Sequence, residues 1–219
     1  MIKPDFERAA IKAAETIINN GINTAPVAPL PILKKTAGVL VLSFAEVSES
    51  VGVERRKLIS LFGERQDAVT SVQVDDQKIK YAVAYNQRLP FYMLQRGIAR
   101  ELGHIILGHD GTRPEEIRSA EATCFAYHLL CPRPLIKAVQ DSGVKLTIEV
   151  LGNLTGCYER CLSGMRKTPG VSVPAELNRE IKKNFADYIE NFIEFQKIVS
   201  ADDDSPVVDF GSFMEGYSE

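Results

Sequence analysis

The residues whose types and spacing suggest chemistry lie in "GIARELGHIILGHD", residues 97–110. On a helix, positions four apart share a face, about 6 Å apart along the axis. That geometry lets H-E-x-x-H hold zinc: two imidazoles converge on one ion, and the intervening glutamate reaches the metal-bound water as general base. Here the letters are R-E-L-G-H. Glu101 takes the base position and His104 the second-ligand position, but Arg100 stands where the first ligand belongs. A guanidinium stays protonated and offers no lone pair, so Arg100 cannot coordinate a metal.

A third ligand would have to come from another element. The next helical stretch carries Ile117, Ala120, Glu121, Cys124, Phe125 and His128 on one stripe. Glu121 stands out there, because a carboxylate on an apolar face needs a metal or a cation as partner. A helical hairpin through "LGHDGTRPEEIRSAE" lets that stripe meet the helix bearing His104. Replacements for the missing ligand are not expected. His109, five residues after His104, points away on the same helix, His128 lies about 10 Å further along its own axis, and Asp110 falls in the turn. The expectation is that Arg100 takes the metal's place and pairs with Glu121 or Glu101.

The elements that must position these groups follow from periodicity. Residues 4–20 form an amphipathic helix ending at Asn19-Asn20-Gly21, and "APVAPLPILKKTAGV" opens a short helix with prolines. "VLVLSF" reads as a buried strand, residues 48–65 as a charged helix, and 69–86 as a β-hairpin turning at Asp75-Asp76. A helix then runs from Pro90 to about Asp110 and a second from about 114 to 131. Residues 147–166 read as helical, and "SVPAELNREIKKNFADYIENFIEFQKIV" as one long amphipathic helix. Helices, a small sheet and a helical hairpin make the class α+β.

Several of these segments resemble the ImmA/IrrE family of metallopeptidase-like proteins. They are "YNQRLPFYMLQRGIARELGHIILGH" and "EATCFAYHLLCP", in that order, together with the upstream "PVAPLPILKKTAGVLV". The resemblance covers roughly residues 1–135. It implies a zincin-like fold, a small sheet packed on helices that include the HExxH-type helix, followed by a helical C-terminal region. It further implies a zinc endopeptidase ancestry, phage or mobile-element origin, and action on helix-turn-helix repressors. Carried over singly, Glu101 matches the general base, His104 a zinc ligand and Glu121 the acidic third ligand. With Arg100 at the substituted position, zinc is doubtful and hydrolysis is expected to be lost or weak. The alternatives are an active zinc endopeptidase with an unrecognised ligand, or a purely structural or interaction protein.

Residues 1–135 are thus expected to form the metallopeptidase-like domain, 136–200 a helical extension, and 201–219 an acidic, disordered tail. Across the 219 residues, 45% are hydrophobic, 25% are charged and the formal net charge is −3, which suits a soluble protein and argues against bulk binding to nucleic acid or anionic membrane. No apolar run spans a bilayer and the N-terminus lacks a signal-like centre, so a cytoplasmic protein is the simplest reading, and the resemblance implies a protein partner or substrate. Cys124, Cys131, Cys157 and Cys161 fit reduced thiols there. With His128 their spacing also allows a structural metal site, although small buried thiols on helix faces are the plainer explanation.

Overall fold

The structure, a computed structural model, describes residues 3–54, 56–57, 60, 67–75 and 78–199. The chain order is α1 (Phe6–Asn19), α2 (Pro29–Lys35), β1 (Val39–Ser43), α3 (Phe44–Val51), β2 (Ala68–Asp75) and β3 (Lys78–Tyr85). Then come α4 (Phe91–Ile106), α5 (Glu115–Leu130), α6 (Arg133–Asp141), α7 (Ile148–Thr155), α8 (Glu159–Arg166), α9 (Ala175–Asn184) and α10 (Ala186–Val199). The class is α+β with a three-stranded sheet, as the periodicity predicts.

The chain divides into two compact units. One holds the residues up to Pro4 together with Ala28–Thr123, and the other holds Asp5–Val27 with the described residues from Cys124 onward. The division falls inside α5.

In the first unit the sheet order is β1-β3-β2, with β1 parallel to β3 and β2 antiparallel to it. The expected hairpin is present, Asp75 facing Lys78 and Ala68 facing Tyr85. The expectation of a buried strand at "VLVLSF" is corrected: among the described residues β1 lies at the edge of the sheet, and its Leu40 is 57% exposed. Its Phe44 instead opens α3, because Ser43 and Glu46 form a capping box that starts a helix there. Gly52 closes that helix with a left-handed residue, so the expected helix of 48–65 is interrupted there; residues 56, 57 and 60 are helical again, and much of the rest lies outside the described residues.

Helix α4 packs on β2, β3 and α2. Its C-terminal half is buried almost all round, including Ile98, Ala99, Glu101, Leu102 and His104. Close approach of the β2 end requires Gly97, where a Cβ would lie 2.7 Å from the Asp67 carboxyl.

In the second unit, α1 packs on α9, and α9 and α10 pack on α6. The long helix expected from 172 to 199 is two helices. Phe185, fully buried, leaves helical geometry and separates α9 from α10, so that Ile181, Phe185, Ile189 and Phe192 all reach the core. An apolar stripe cannot by itself tell one helix from two in register.

Candidate functional site

The site is built on α4, the turn after it and the first half of α5. Helix α4 ends sooner than the sequence suggested. Leu107 caps it and Gly108 turns left-handed (φ +68°). The Gly108 N–H then donates to Ile105 O at 3.0 Å and the His109 N–H to His104 O at 2.9 Å. This is the Schellman arrangement, in which a glycine reverses the chain and satisfies the last helical carbonyls.

That reversal corrects the expectation for His109. It does not point away: its Nδ1 lies 2.9 Å from Nδ1 of His104 and its Nε2 lies 3.0 Å from Oε2 of Glu121. All three side chains are at least 94% buried. The Leu107-Gly108 pair was the available signal, since glycine just past a periodic run marks a helix stop.

Glu121 sits where the stripe put it, 1% exposed, and has the cationic partner its burial requires. That partner is Arg113, whose two terminal nitrogens approach the two carboxylate oxygens at 3.0 and 2.9 Å. The sequence reading had not considered Arg113. The turn delivers it: Thr112 donates its backbone N–H and its hydroxyl to the Asp110 carboxylate, and Arg118 Nε donates to Arg113 O. Asp110 itself is exposed and stands apart from the buried groups. His128 lies in the other compact unit.

Arg100 pairs with Glu101, one of the two carboxylates expected for it. Its Nη2 lies 2.6 Å from Glu101 Oε1, and it also approaches Asp67 Oδ1 at 3.9 Å and Ala68 O at 3.5 Å. Arg96 supports Asp67 from the next turn at 3.6 Å. Burial raises the Glu101 carboxyl above its ordinary value, and the Arg100 charge opposes that rise. His104 is pushed down to about 3, first by burial and then by His109 and Arg100. Burial also lowers His109, against the pull of Glu121.

Both imidazoles are therefore neutral at physiological pH, and the carboxylate fixes their tautomers. A carboxylate only accepts, so His109 Nε2 carries its proton and donates to Glu121. His109 Nδ1 is then an acceptor, and His104 Nδ1 donates to it. The chain leaves the Nε2 of His104 with an open lone pair. A cavity of about 60 Å³ lies against Thr70, Glu101, His104, His109 and Arg118, large enough for a few waters and no more.

Residues 62–150 match the family model for Peptidase_M78, the IrrE N-terminal-like domain. This segment, less than half of the chain, is similar to the ImmA/IrrE family. The match holds every residue of the site and reaches past 135, whereas the resembling segments before residue 62 lie outside it. No curated protein and no solved structure matches the chain. Within the matched segment, Glu101, His104 and Glu121 are brought to one region, but not to one point. Among the described residues no group of three or more His, Cys, Asp or Glu side chains is arranged to hold a metal ion. No described helix is long and apolar enough to cross a membrane.

Proposed function

We propose that this chain is a non-hydrolysing member of the ImmA/IrrE family that acts by holding a protein partner. The observation that carries the reading is the Arg100–Glu101 contact at 2.6 Å: a fixed cation stands at the first ligand position and occupies the carboxylate that would activate water.

The residues present do not fit a catalytic zinc ion. Such a site needs three protein ligands converging on one point with a free position for water. His109 bridges instead of converging, because its two nitrogens, on opposite sides of the ring, serve His104 and Glu121 separately. Charge tells the same way. Asp67 faces Arg96 and Arg100, Glu101 faces Arg100, Glu121 faces Arg113, and Glu115 faces Arg118 at 2.7 Å. A dication added to this balanced set would meet guanidinium repulsion at short range. Each of the four arginines is thus paired with a carboxylate of the site.

The partner class suggested by the family resemblance is a helix-turn-helix repressor of phage or mobile-element origin, bound without cleavage. The direct test is metal content. Purified protein incubated with zinc and dialysed is expected to retain far less than one equivalent. One equivalent of zinc, lost on His104→Ala, together with peptide hydrolysis lost on Glu101→Gln, would overturn the reading.

A second reading, an active zinc endopeptidase, is favoured by one observation: His109 lies within 3.0 Å of both His104 and Glu121 and is the obvious replacement ligand once its ring swings. Under that reading His109→Ala abolishes zinc binding and hydrolysis together.

A further inference from the structure

A second cluster lies in the other compact unit, unrelated to the residues above. Cys131, Cys157 and Cys161 are all buried thiols. Cys131 closes α5, while Cys157 follows the left-handed Gly156 that ends α7 and precedes α8. The Cys131 thiol donates to the Cys157 sulfur at 3.3 Å across a sequence separation of 26 residues. The backbone here is fixed locally: Cys157 N donates to Thr155 Oγ1 at 3.2 Å, and a Cβ on Gly156 would strike Pro26.

We propose that Cys157 is an oxidation site for small peroxides and that Cys131 resolves it to an intrachain disulfide. Three observations of geometry argue for it. The Cys131 thiol, donating to the Cys157 sulfur at 3.3 Å, stabilises the thiolate there, which is the reactive form. Of the three, Cys157 alone keeps some surface, at 6% against 0% for Cys131 and 1% for Cys161, so a molecule as small as hydrogen peroxide meets it first. Cys131 is already in sulfur contact, so a second thiol needs little motion to attack. Consistently, the hydrogen bonds from Cys131 and Cys161 hold Cys157 well below the ordinary thiol range, while burial holds Cys131 well above it.

The chemistry balances with peroxide as the oxidant. The Cys157 thiolate attacks one peroxide oxygen, the O–O bond breaks, and the products are Cys157 sulfenic acid and hydroxide. Cys131 then attacks the Cys157 sulfur, its proton leaving with the departing oxygen as water. Two thiols become one disulfide, and peroxide becomes two waters.

The experiment treats the native full chain with equimolar hydrogen peroxide, blocks residual thiols after unfolding, and maps the peptides by mass spectrometry. The expected result is the loss of two hydrogens, one linked Cys131–Cys157 peptide pair, and blocked Cys124 and Cys161. Four blocked cysteines, a Cys157–Cys161 link or a disulfide between chains would each overturn the proposal. With Cys131→Ser, a dimedone adduct is expected to accumulate at Cys157, and an adduct at Cys161 instead would overturn it. Because the mapping uses unmodified protein, a variant that folds poorly does not weaken the test.

Discussion

Replacing Arg113 by glutamine asks directly what neutralises Glu121. The pair consists of two charge-assisted contacts at 2.9 and 3.0 Å, with Glu121 1% and Arg113 31% exposed at the side chain. Removing one partner of a fully buried pair costs about 3–5 kcal/mol. Arg113 reaches the surface and His109 still donates to the carboxylate, so the expected cost is lower, about 2–3 kcal/mol. For a chain of this length that corresponds to a melting temperature lower by roughly 5–10 °C. Glu121→Gln keeps the volume and frees a guanidinium that can turn to water, so about 1–2 kcal/mol is expected. The double variant should be less destabilised than the sum by about 1 kcal/mol or more, read from urea unfolding followed by circular dichroism. A cost below about 0.5 kcal/mol for Arg113→Gln, or additivity within that margin, would refute the argument. Glu121 would then be neutralised by something other than Arg113, a bound cation first among the candidates.

Other outcomes follow from single contacts. Gly97→Ala places a methyl 2.7 Å from the Asp67 carboxyl and 2.8 Å from its Cβ, so a loss of about 1–3 kcal/mol in urea unfolding is expected, and adding Asp67→Ala should not recover it because alanine keeps that Cβ. Gly108→Ala puts a Cβ on a residue at φ +68°, costing about 1–2 kcal/mol, and should shift the His104 and His109 imidazole signals in NMR spectra. His128, buried beside Arg133, has its pKa lowered from 6.5 to about 3. The unfolded chain therefore binds the extra proton first, and stability should fall as pH drops from about 6.5 towards 3, by up to about 1.4 kcal/mol per pH unit for this group. His128→Gln should flatten that slope in melts across the range, and an unchanged slope would remove His128 from the account.

What the sequence disclosed and what it withheld divide along physical lines. The hairpin 68–85, helices α4 and α5, and the need of Glu121 for a partner were all legible, because each follows from periodicity or from the cost of burying a charge. The pairing of Arg100 was half legible: chemistry excluded it as a ligand and left two carboxylates, and only the fold chose Glu101. Arg113 and His109 were missed for one reason. Both depend on a turn whose path is set by Gly108 and Asp110, and extending α4 to Asp110 sent His109 to the wrong side. The break at Phe185 was invisible because the apolar stripe runs through it unchanged. The exposed Leu40 could not be foreseen either, since a short apolar run does not reveal whether its strand lies at an edge.

The turn at Gly108 has a consequence for single substitutions in this site. His104 and His109 are joined twice, backbone to backbone and ring to ring, while Glu121 is claimed by both His109 and Arg113. Under the proposed reading, returning a histidine to position 100 would restore one letter of the motif and none of its partners, because each remaining ligand is already committed elsewhere. Arg100→His alone is thus expected to gain little zinc, and Arg100→His with Arg113→Gln appreciably more. A single substitution at position 100 leaves the Arg113–Glu121 and His104–His109 pairs as they are.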